Sequence, residues 1–386
     1  MIKIGLIGAP NKGKSTLFAA LTKNQVAIAD YPFTTIAPNV GVAFLPKECV
    51  CSKLGIKCDS PYCDGKYRYA GVEIVDVAGL VEGAYLGRGM GNKFLDDLIK
   101  ADGFIQVIDA SGQTDLDGKN TMDFPIEKEI GFLKNELLQW LVGILRRNYP
   151  RYKFKKIDEM YKELSGLKIG YEKLKEAAME LKINLERVEL DEKKMFELAE
   201  KIIKLKPLVI AANKSDKKGA LERIGEFKKN HKEIDIIACS ADYEYTLNLA
   251  ANKKLIEYKY AENSIKIIKE LPLEQKNAIE KILEFVNINN GTGVWNLLEK
   301  LVFEKMEMLV AYPVENEEKF SDSAGRVLPD AFLIKKGTKI IEFAQMVHSD
   351  FAKYFVSAID AKTKKNLSKE YIIKDNDIIK LIAAKR

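Results

Sequence analysis

A phosphate-binding pattern stands near the start of the chain, where residues 8–15 fit G-x-x-x-x-G-K-S. Its two glycines let backbone amides wrap a polyphosphate, helped by the positive end of the following helix. Lys14 would reach the β- and γ-phosphates, and the Ser15 hydroxyl would ligate Mg²⁺. The pattern predicts phosphate contacts from Gly8, Ala9, Pro10, Asn11, Lys12, Gly13, Lys14, Ser15 and Thr16.

A second pattern, Asp-Val-Ala-Gly, begins at Asp76 after the β-rich run 72–75. Asp76 can hold the Mg²⁺ shell while the amide of Gly79 senses the terminal phosphate. The alternative is that Asp76 only caps the end of a strand. The order of the two patterns along the chain favours the metal-nucleotide interpretation.

A third pattern, Asn213-Lys214-Ser215-Asp216, follows the apolar run 208–212. The Asp216 carboxylate can accept two hydrogen bonds from the edge of guanine, the Lys214 stem can cover the ring, and Asn213 can brace the loop. Adenine offers no matching pair of donors, so ATP would leave a buried carboxylate unpaired. The pattern therefore predicts a preference for guanine.

A fourth, shorter pattern is Cys-Ser-Ala at residues 239–241, where an amide of Ser240 or Ala241 can meet the guanine carbonyl oxygen. An ordinary polar turn would explain residues 213–216 alone. It would not explain four patterns in this order, which together predict a guanine-nucleotide site.

Four of the five cysteines crowd one short stretch, as Cys49, Cys51, Cys58 and Cys63. In a reducing compartment this crowding indicates a metal before a disulfide. Four thiolates can close a tetrahedral structural Zn²⁺ site and fix an otherwise loose loop. Free thiols are the alternative, and Cys239 is expected to be a core residue.

The elements that position these residues are alternating strands and helices. Five short apolar runs are typical of buried strands of a mostly parallel sheet, and helical stretches between several of them indicate a doubly wound α/β domain. The runs are residues 2–7, 72–77, 103–109, 208–212 and 235–239.

A charged stretch rich in Lys, Glu and Leu interrupts this order and predicts a helical insertion at 127–206. Glycines and turn residues divide it into shorter antiparallel helices, with breaks near 166–170 and 183–190. Residues 243–308 are again largely helical in pattern. Short strands and one helix at 341–357 follow, so we expect domains at 1–126 with 207–308, at 127–206 and at 309–386.

Composition bounds the class of protein. The chain has 386 residues, 47% of them apolar, with 62 basic and 56 acidic side chains and a net charge of +6. That charge permits a nucleic-acid partner without requiring one. Because no apolar run approaches the length of a membrane span and none is followed by a cleavage site, we expect a cytoplasmic protein without membrane contact.

The chain resembles the Obg superfamily of translation-factor-class GTPases, in its YchF-related branch that carries a TGS domain. The motifs that carry the resemblance are residues 8–15, Tyr31 to Thr35, 38–41, Asp76 to Leu80, Gly87, Gly89 and 91–95, and in the C-terminal part 312–314, 328–331, 336–338, 347–348 and 374–379. The resemblance implies a P-loop NTPase G domain with a helical insertion and a C-terminal β-grasp (TGS) domain.

The resemblance also implies roles for individual residues. It places Phe33, Thr34 and Thr35 at the nucleotide, with Thr35 as the switch threonine that closes on Mg²⁺ when the γ-phosphate is present. Two positions depart from relatives. The motif at 213–216 is intact here but degenerate in the ATPases of the YchF branch, and Leu86 interrupts a polar pattern usual in Obg proteins.

Hydrolysis is expected to depend on Lys14, Thr35, Gly79 and Asn11. Leu80 stands where Ras-like GTPases place a water-orienting Gln, so intrinsic turnover should be slow unless another group supplies charge. The resemblance suggests that Asn11 helps to seat K⁺ beside the phosphates. The alternatives are that Asn11 only stabilises the loop, or that Arg88 supplies the charge.

The expected function is a molecular switch that hydrolyses GTP to GDP with Mg²⁺. The resemblance implies a ribosome or RNA partner, through the TGS domain and the helical insertion. Two alternatives stay open, a nucleotide-regulated binding module without turnover and an ATPase like the YchF branch.

Overall fold

The larger sheet of the protein carries the sequence patterns at its strand ends. The structure is a computed structural model that describes residues 1–22, 39–76, 83 and 101–384. In these ranges the sheet has six strands in the order β2-β3-β1-β4-β5-β6, all parallel to their neighbours except β2. The strands are β1 (Lys3–Ile7), β2 (Val40–Glu48), β3 (Tyr67–Asp76), β4 (Gly103–Asp109), β5 (Leu208–Asn213) and β6 (Ile236–Ala238).

The five predicted strands are confirmed, and β2 is an addition to them. β2 pairs antiparallel with β3 from Val40↔Val75 to Glu48↔Tyr67. Gly41 and Pro46 interrupt its apolar pattern, and an edge position tolerates proline because the strand has a neighbour on one side only. The α/β class with a mostly parallel sheet is therefore correct, with one antiparallel edge strand.

Helices cover this sheet and form the insertion between β4 and β5. Those of the N-terminal part and the insertion are α1 (Lys14–Thr22), α2 (Val50–Leu54), α3 (Ile126–Tyr152), α4 (Ile157–Leu164), α5 (Tyr171–Glu180) and α6 (Glu192–Lys204). The two predicted breaks in the insertion are confirmed. A third break follows Tyr152, where Phe154 takes a positive φ of 60°. The apolar core of the insertion includes Trp140, Leu145 and Leu198 and is continuous with the sheet through Ile7 and Phe104.

The segment after β5 is less uniformly helical than its pattern predicted. It contains α7 (Ala220–Asn230), α8 (Ala241–Asn252), α9 (Leu273–Asn289) and α10 (Val294–Glu299), followed by a π-helical turn at Lys300–Lys305. A hairpin of β7 (Ile256–Lys259) and β8 (Ser264–Ile267) lies between α8 and α9. The interpretation of residues 243–308 as largely helical missed this hairpin.

The C-terminal part forms a second sheet. Within the described residues its order is β10-β9-β13-β11-β12, and β9 and β13 are parallel. The elements are β9 (Met308–Val314), β10 (Phe332–Lys335), α11 (Ile340–Val347), α12 (Ser349–Lys353), β11 (Phe355–Asp360), β12 (Asn366–Leu367) and β13 (Asp377–Ala383). The single helix expected at 341–357 is two short helices, and its last residues belong to β11. The domain boundaries assigned from the sequence stay predictions.

A helix that crosses a bilayer needs about 20 consecutive, mainly apolar residues. Over the ranges that the structure describes, no helix is long and apolar enough to span one.

Candidate nucleotide site

The first sequence pattern lies in the loop between β1 and α1, and two glycines give the loop its shape. Gly8 has φ 151°, and a Cβ at this position would lie 2.3 Å from the carbonyl oxygen of Val107. Gly13 has φ 91°, and its Cβ would lie 2.2 Å from Nδ2 of Asn213. Both contacts are far shorter than van der Waals distance, so any side chain here would push the loop away from β4 and β5.

Lys14 turns its ammonium group into this loop. Its Nζ donates a hydrogen bond of 2.9 Å to the carbonyl oxygen of Ala9, and the side chain is almost fully buried. Burial lowers the pKa of Lys14, while the nearby Asp76 opposes that shift. A buried cation surrounded by backbone amides is the arrangement that binds phosphate oxygens.

The expected magnesium ligands meet where α1 begins and β3 ends. Ser15 Oγ donates a 2.8 Å hydrogen bond to Oδ2 of Asp76. A hydroxyl and a carboxylate are the hard oxygen ligands that Mg²⁺ prefers. These two residues therefore fit the metal, and would hold it beside a bound triphosphate.

Asn213 joins the phosphate loop to the loop after β6. Its Nδ2 donates to the carbonyl oxygen of Lys12 at 2.9 Å, and its Oδ1 accepts from the backbone amide of Ala241 at 3.0 Å. One side chain thus links three of the four patterns, which lie far apart in the sequence.

The purine-selecting residue expected from the sequence, Asp216, lies beside Ser240. Ser240 Oγ donates to Asp216 Oδ1 at 2.8 Å, and Lys217 Nζ lies 3.0 Å from Oδ2. The Asp216 side chain is only 4% exposed. Lys214 Nζ is held 2.7 Å from Asp109 Oδ2, which fixes the end of the lysine side chain.

A buried polar network lies under the phosphate loop and was not predicted. Lys12 Nζ pairs with Glu129 Oε1 at 2.8 Å and donates to both oxygens of Thr114. Glu129 Oε2 accepts from the amide of Asp109 at 3.1 Å, and burial raises the pKa of Glu129 to about 7. The Lys12 side chain therefore points away from the phosphate side, and only its backbone can contact a nucleotide. The sequence did not predict a role for Glu129, because this residue lies in a helix far along the chain from any motif.

The remaining predicted residues are placed as follows. Asn11 has φ 59° and donates through Nδ2 to the carbonyl oxygen of Gly118 at 2.9 Å. Pro10 and Thr16 are partly buried beside it. The residues named from the sequence that lie outside the described ranges are Tyr31, Phe33, Thr34, Thr35, Gly79, Leu80, Leu86, Gly87, Arg88 and Gly89.

Family models match most of the chain. The 50S ribosome-binding GTPase model matches residues 3–140, the model of the Obg-like GTPase YGR210-like, G4 motif-containing domain matches 211–316, and the TGS domain model matches 325–383. An uncharacterized GTP-binding protein of Methanocaldococcus jannaschii is 42% identical over 395 residues, covering 100% of both chains. This chain belongs to the Obg-like, YchF-related family of GTP-binding proteins.

Other members of the family agree with this assignment. A crystal structure of a GTP binding protein from Pyrococcus horikoshii matches with a TM-score of 0.79 and 30% identity, over 99% of this chain and 100% of that one. A Mycoplasma genitalium protein named ribosome-binding ATPase YchF is 30% identical over 98% of both chains. The family therefore includes members named for GTP and members named for ATP.

The cysteine cluster of this Obg-like chain lies at the opposite end of β2 and β3 from the phosphate loop. The four Sγ atoms of Cys49, Cys51, Cys58 and Cys63 lie within 4.8 Å of one another. A hydrogen bond from Cys63 lowers the pKa of Cys49 to about 4, and burial raises the pKa of Cys51 to about 12. The fifth cysteine, Cys239, is fully buried after β6, as expected.

Proposed function

We propose that this chain is a Mg²⁺-dependent GTPase that selects guanine through Asp216. The observation that carries the proposal is the side chain of Asn213, which holds the phosphate loop and the Ser240-Ala241 loop together. Because of this link, Lys14, Ser15 and Asp76 lie on the phosphate side and Asp216 on the base side of one site.

Selection of guanine follows from the environment of Asp216. Ser240 donates to one carboxylate oxygen and Lys217 lies beside the other, which orients the group, and its low exposure makes missing hydrogen bonds to this carboxylate costly. A guanine edge supplies two N–H donors to this carboxylate, whereas adenine does not. An ATPase activity, which the name of the Mycoplasma relative would suggest, is therefore the weaker alternative.

Hydrolysis needs charge at the phosphates. Lys14 supplies one cation and Mg²⁺, held by Ser15 and Asp76, supplies another. With Leu80 in place of a water-orienting Gln, we propose K⁺ as a further cation, seated by Asn11. Its amide nitrogen is fixed by Gly118, so the Oδ1 oxygen is the atom left to face a cation. Thr35 and Gly79 would close on the γ-phosphate as the switch residues.

Multiple-turnover phosphate release tests the enzymatic part. We expect repeated turnover of GTP with Mg²⁺, faster in K⁺ than in Na⁺, and a loss of at least about 100-fold in Lys14→Ala. Binding of GTP without turnover in either salt would support a nucleotide-regulated binding module instead. Equal rates in K⁺ and Na⁺ would remove the potassium proposal alone.

The partner proposed for the switch is the ribosome or an RNA, reached through the TGS domain and the helical insertion in the cytoplasm. It is supported by the name of the Mycoplasma genitalium relative, ribosome-binding ATPase YchF, and by the name of the family model that matches residues 3–140, 50S ribosome-binding GTPase. Co-sedimentation with ribosomal subunits in GTP, GDP and nucleotide-free states tests it. If no state co-sediments, the ribosomal part of the proposal is wrong.

A further inference from the structure

The four cysteines have the spacing of metal ligands. Cys51 Sγ lies 3.7 Å from Cys63 Sγ. A disulfide would bring two sulfurs to about 2.05 Å. Four sulfurs placed tetrahedrally about 2.3 Å from Zn²⁺ lie about 3.8 Å from one another. The observed separation matches the edge of a zinc-thiolate tetrahedron and is too long for a disulfide.

Neighbouring groups point hydrogen-bond donors at these sulfurs. The amide of Gly65 donates to Cys63 Sγ at 3.4 Å, and Tyr312 Oη donates to Cys49 Sγ at 3.8 Å. Arg68 Nη2 donates to Cys58 Sγ at 3.8 Å. Donors of this kind orient metal ligands and stabilise the thiolate form.

Arg68 provides an independent observation. The residue is 2% exposed, and its guanidinium donates to the carbonyl oxygens of Leu328 at 2.6 Å and Pro329 at 3.1 Å. Across the described ranges no carboxylate lies within ion-pair distance of it, and its Nε is buried without a hydrogen-bond partner. Arginine cannot shed its proton in a protein, so a buried guanidinium needs a nearby negative charge.

A zinc ion bound by four thiolates carries a net charge of −2 and supplies that negative charge beside Arg68. We propose that the four-cysteine cluster is a structural Zn²⁺ site that seats the C-terminal sheet on the nucleotide domain, with Arg68 as its counter-charge. The site takes no part in nucleotide chemistry, because it lies at the far end of β2 and β3.

The seating role follows from what the cysteine segment contacts. Cys49, Cys51 and Cys58 share one buried apolar cluster with residues of the C-terminal part, among them Val310 and Leu328. Asp59 and Val327 exchange two hydrogen bonds, one between backbone groups and one through the Asp59 carboxylate, both 2.8 Å long. Fixing the loop by zinc therefore fixes the surface on which the C-terminal sheet packs.

Metal analysis of the purified full chain, produced with both zinc and iron in the medium, tests the metal. We expect about one zinc per chain, the stoichiometry of a four-thiolate site. The double variant Cys51→Ser/Cys63→Ser should lose it, whereas Cys239→Ala, which also removes a buried thiol, should keep it. Absence of zinc from the wild type, or iron in equal amount, would overturn the assignment.

Hydrogen exchange tests the seating role. Removing the metal with a chelator should increase exchange at least about tenfold at Asp59 and Val327, whose amides bond across the contact. Exchange in β4 and β5 should not change, nor should the affinity for mant-GTP once the chelator has been removed and Mg²⁺ restored, which separates this proposal from the proposed function. Unchanged exchange at both amides after complete removal of zinc would show that the metal does not seat the C-terminal sheet.

Discussion

The nucleotide site and the cysteine cluster lie at opposite ends of the β2–β3 pair. Their buried cations differ in the groups that surround them. Near the phosphate loop the fully buried Lys12 and the half-buried Lys214 each have a carboxylate partner within the protein, Glu129 and Asp109, while the buried Lys14 bonds the carbonyl oxygen of Ala9. At the cysteine cluster, Arg68 meets carbonyl oxygens and thiols. The charges of Lys12 and Lys214 are balanced by carboxylates of the protein, whereas the charge of Arg68 would be balanced by the proposed zinc-thiolate centre.

A further cation, Lys206, shows another way in which the cost of a buried charge is reduced. Lys206 donates to the carbonyl oxygen of Ala101, and burial lowers its pKa to about 8. A lysine can thus reduce the cost of burial by losing its proton, which Arg68 cannot do. The comparison suggests that a buried arginine without a carboxylate is a better pointer to a bound anion or anionic metal centre than a buried lysine.

The largest effect is expected from breaking the pair under the phosphate loop. Lys12→Met leaves Glu129 buried without its cation and should lower the free energy of unfolding by about 3–5 kcal/mol. Equilibrium urea unfolding of the nucleotide-free protein measures it. Lys134→Met, which removes an exposed pair with Glu200, should cost less than about 1 kcal/mol. The double variant Lys12→Met/Glu129→Leu should recover at least half of the lost free energy of unfolding. An equal loss of free energy in Lys12→Met and Lys134→Met would contradict the comparison.

The next effect sharpens the contrast at the cysteine end. Arg68→Met should lower the free energy of unfolding of the zinc-loaded protein by about 2–3 kcal/mol, because the zinc-thiolate centre loses its counter-charge. The same substitution should cost less than half of that in chelated protein, where the negative charge is reduced. Arg146→Met, at an exposed pair with Glu192, is the control in both states. An equal loss in the free energy of unfolding with and without zinc would show that Arg68 stabilises the fold only through its hydrogen bonds to the carbonyl oxygens.

A smaller effect is expected at the proposed Mg²⁺ site, where the metal binds together with the nucleotide and, unlike the proposed zinc, does not stabilise the nucleotide-free fold. Ser15→Ala should weaken binding of mant-GDP about 10- to 100-fold in Mg²⁺ and change it little in EDTA, since only a metal ligand is lost. Its unfolding midpoint without nucleotide should stay near that of the wild type. Ser165→Ala, which removes an exposed hydroxyl in the insertion, should be neutral in both tests. An equal loss of affinity in EDTA would place the Ser15 hydroxyl outside the metal shell.

The smallest effect concerns Lys206. Its folded pKa of about 8 lies below the ordinary 10.5, so the cost of burying the charge is complete below pH 8 and disappears as the pH rises toward 10.5. Lys206→Met should therefore raise the free energy of unfolding by about 1 kcal/mol at pH 7 and by less at pH 9.5. Lys204→Met, an exposed neighbour, should show no such dependence. A stability gain that is the same at both pH values would contradict the shift.

The sequence predicted the separate motifs of the nucleotide site, because each motif is a short run of residues at the end of a strand. It could not reveal that Asn213 reaches back to the phosphate loop, or that the Lys12 side chain turns inward to Glu129, since the Asn213–Lys12 and Lys12–Glu129 contacts join residues more than 100 positions apart. The edge strand β2 was missed because Gly41 and Pro46 break its pattern. The position of Arg68 beside the cysteines also depends on how the C-terminal sheet packs.

Competition of GTP and ATP against mant-GTP, with Mg²⁺ present, tests the central claim most directly. The wild type is expected to prefer GTP by at least about 100-fold, and Asp216→Asn to lose most of that preference. Asp242→Asn, which changes an exposed carboxylate directly after the Ser240-Ala241 loop, should keep it. A wild type that binds ATP as tightly as GTP, or an Asp216→Asn variant with its guanine preference intact, would contradict the account.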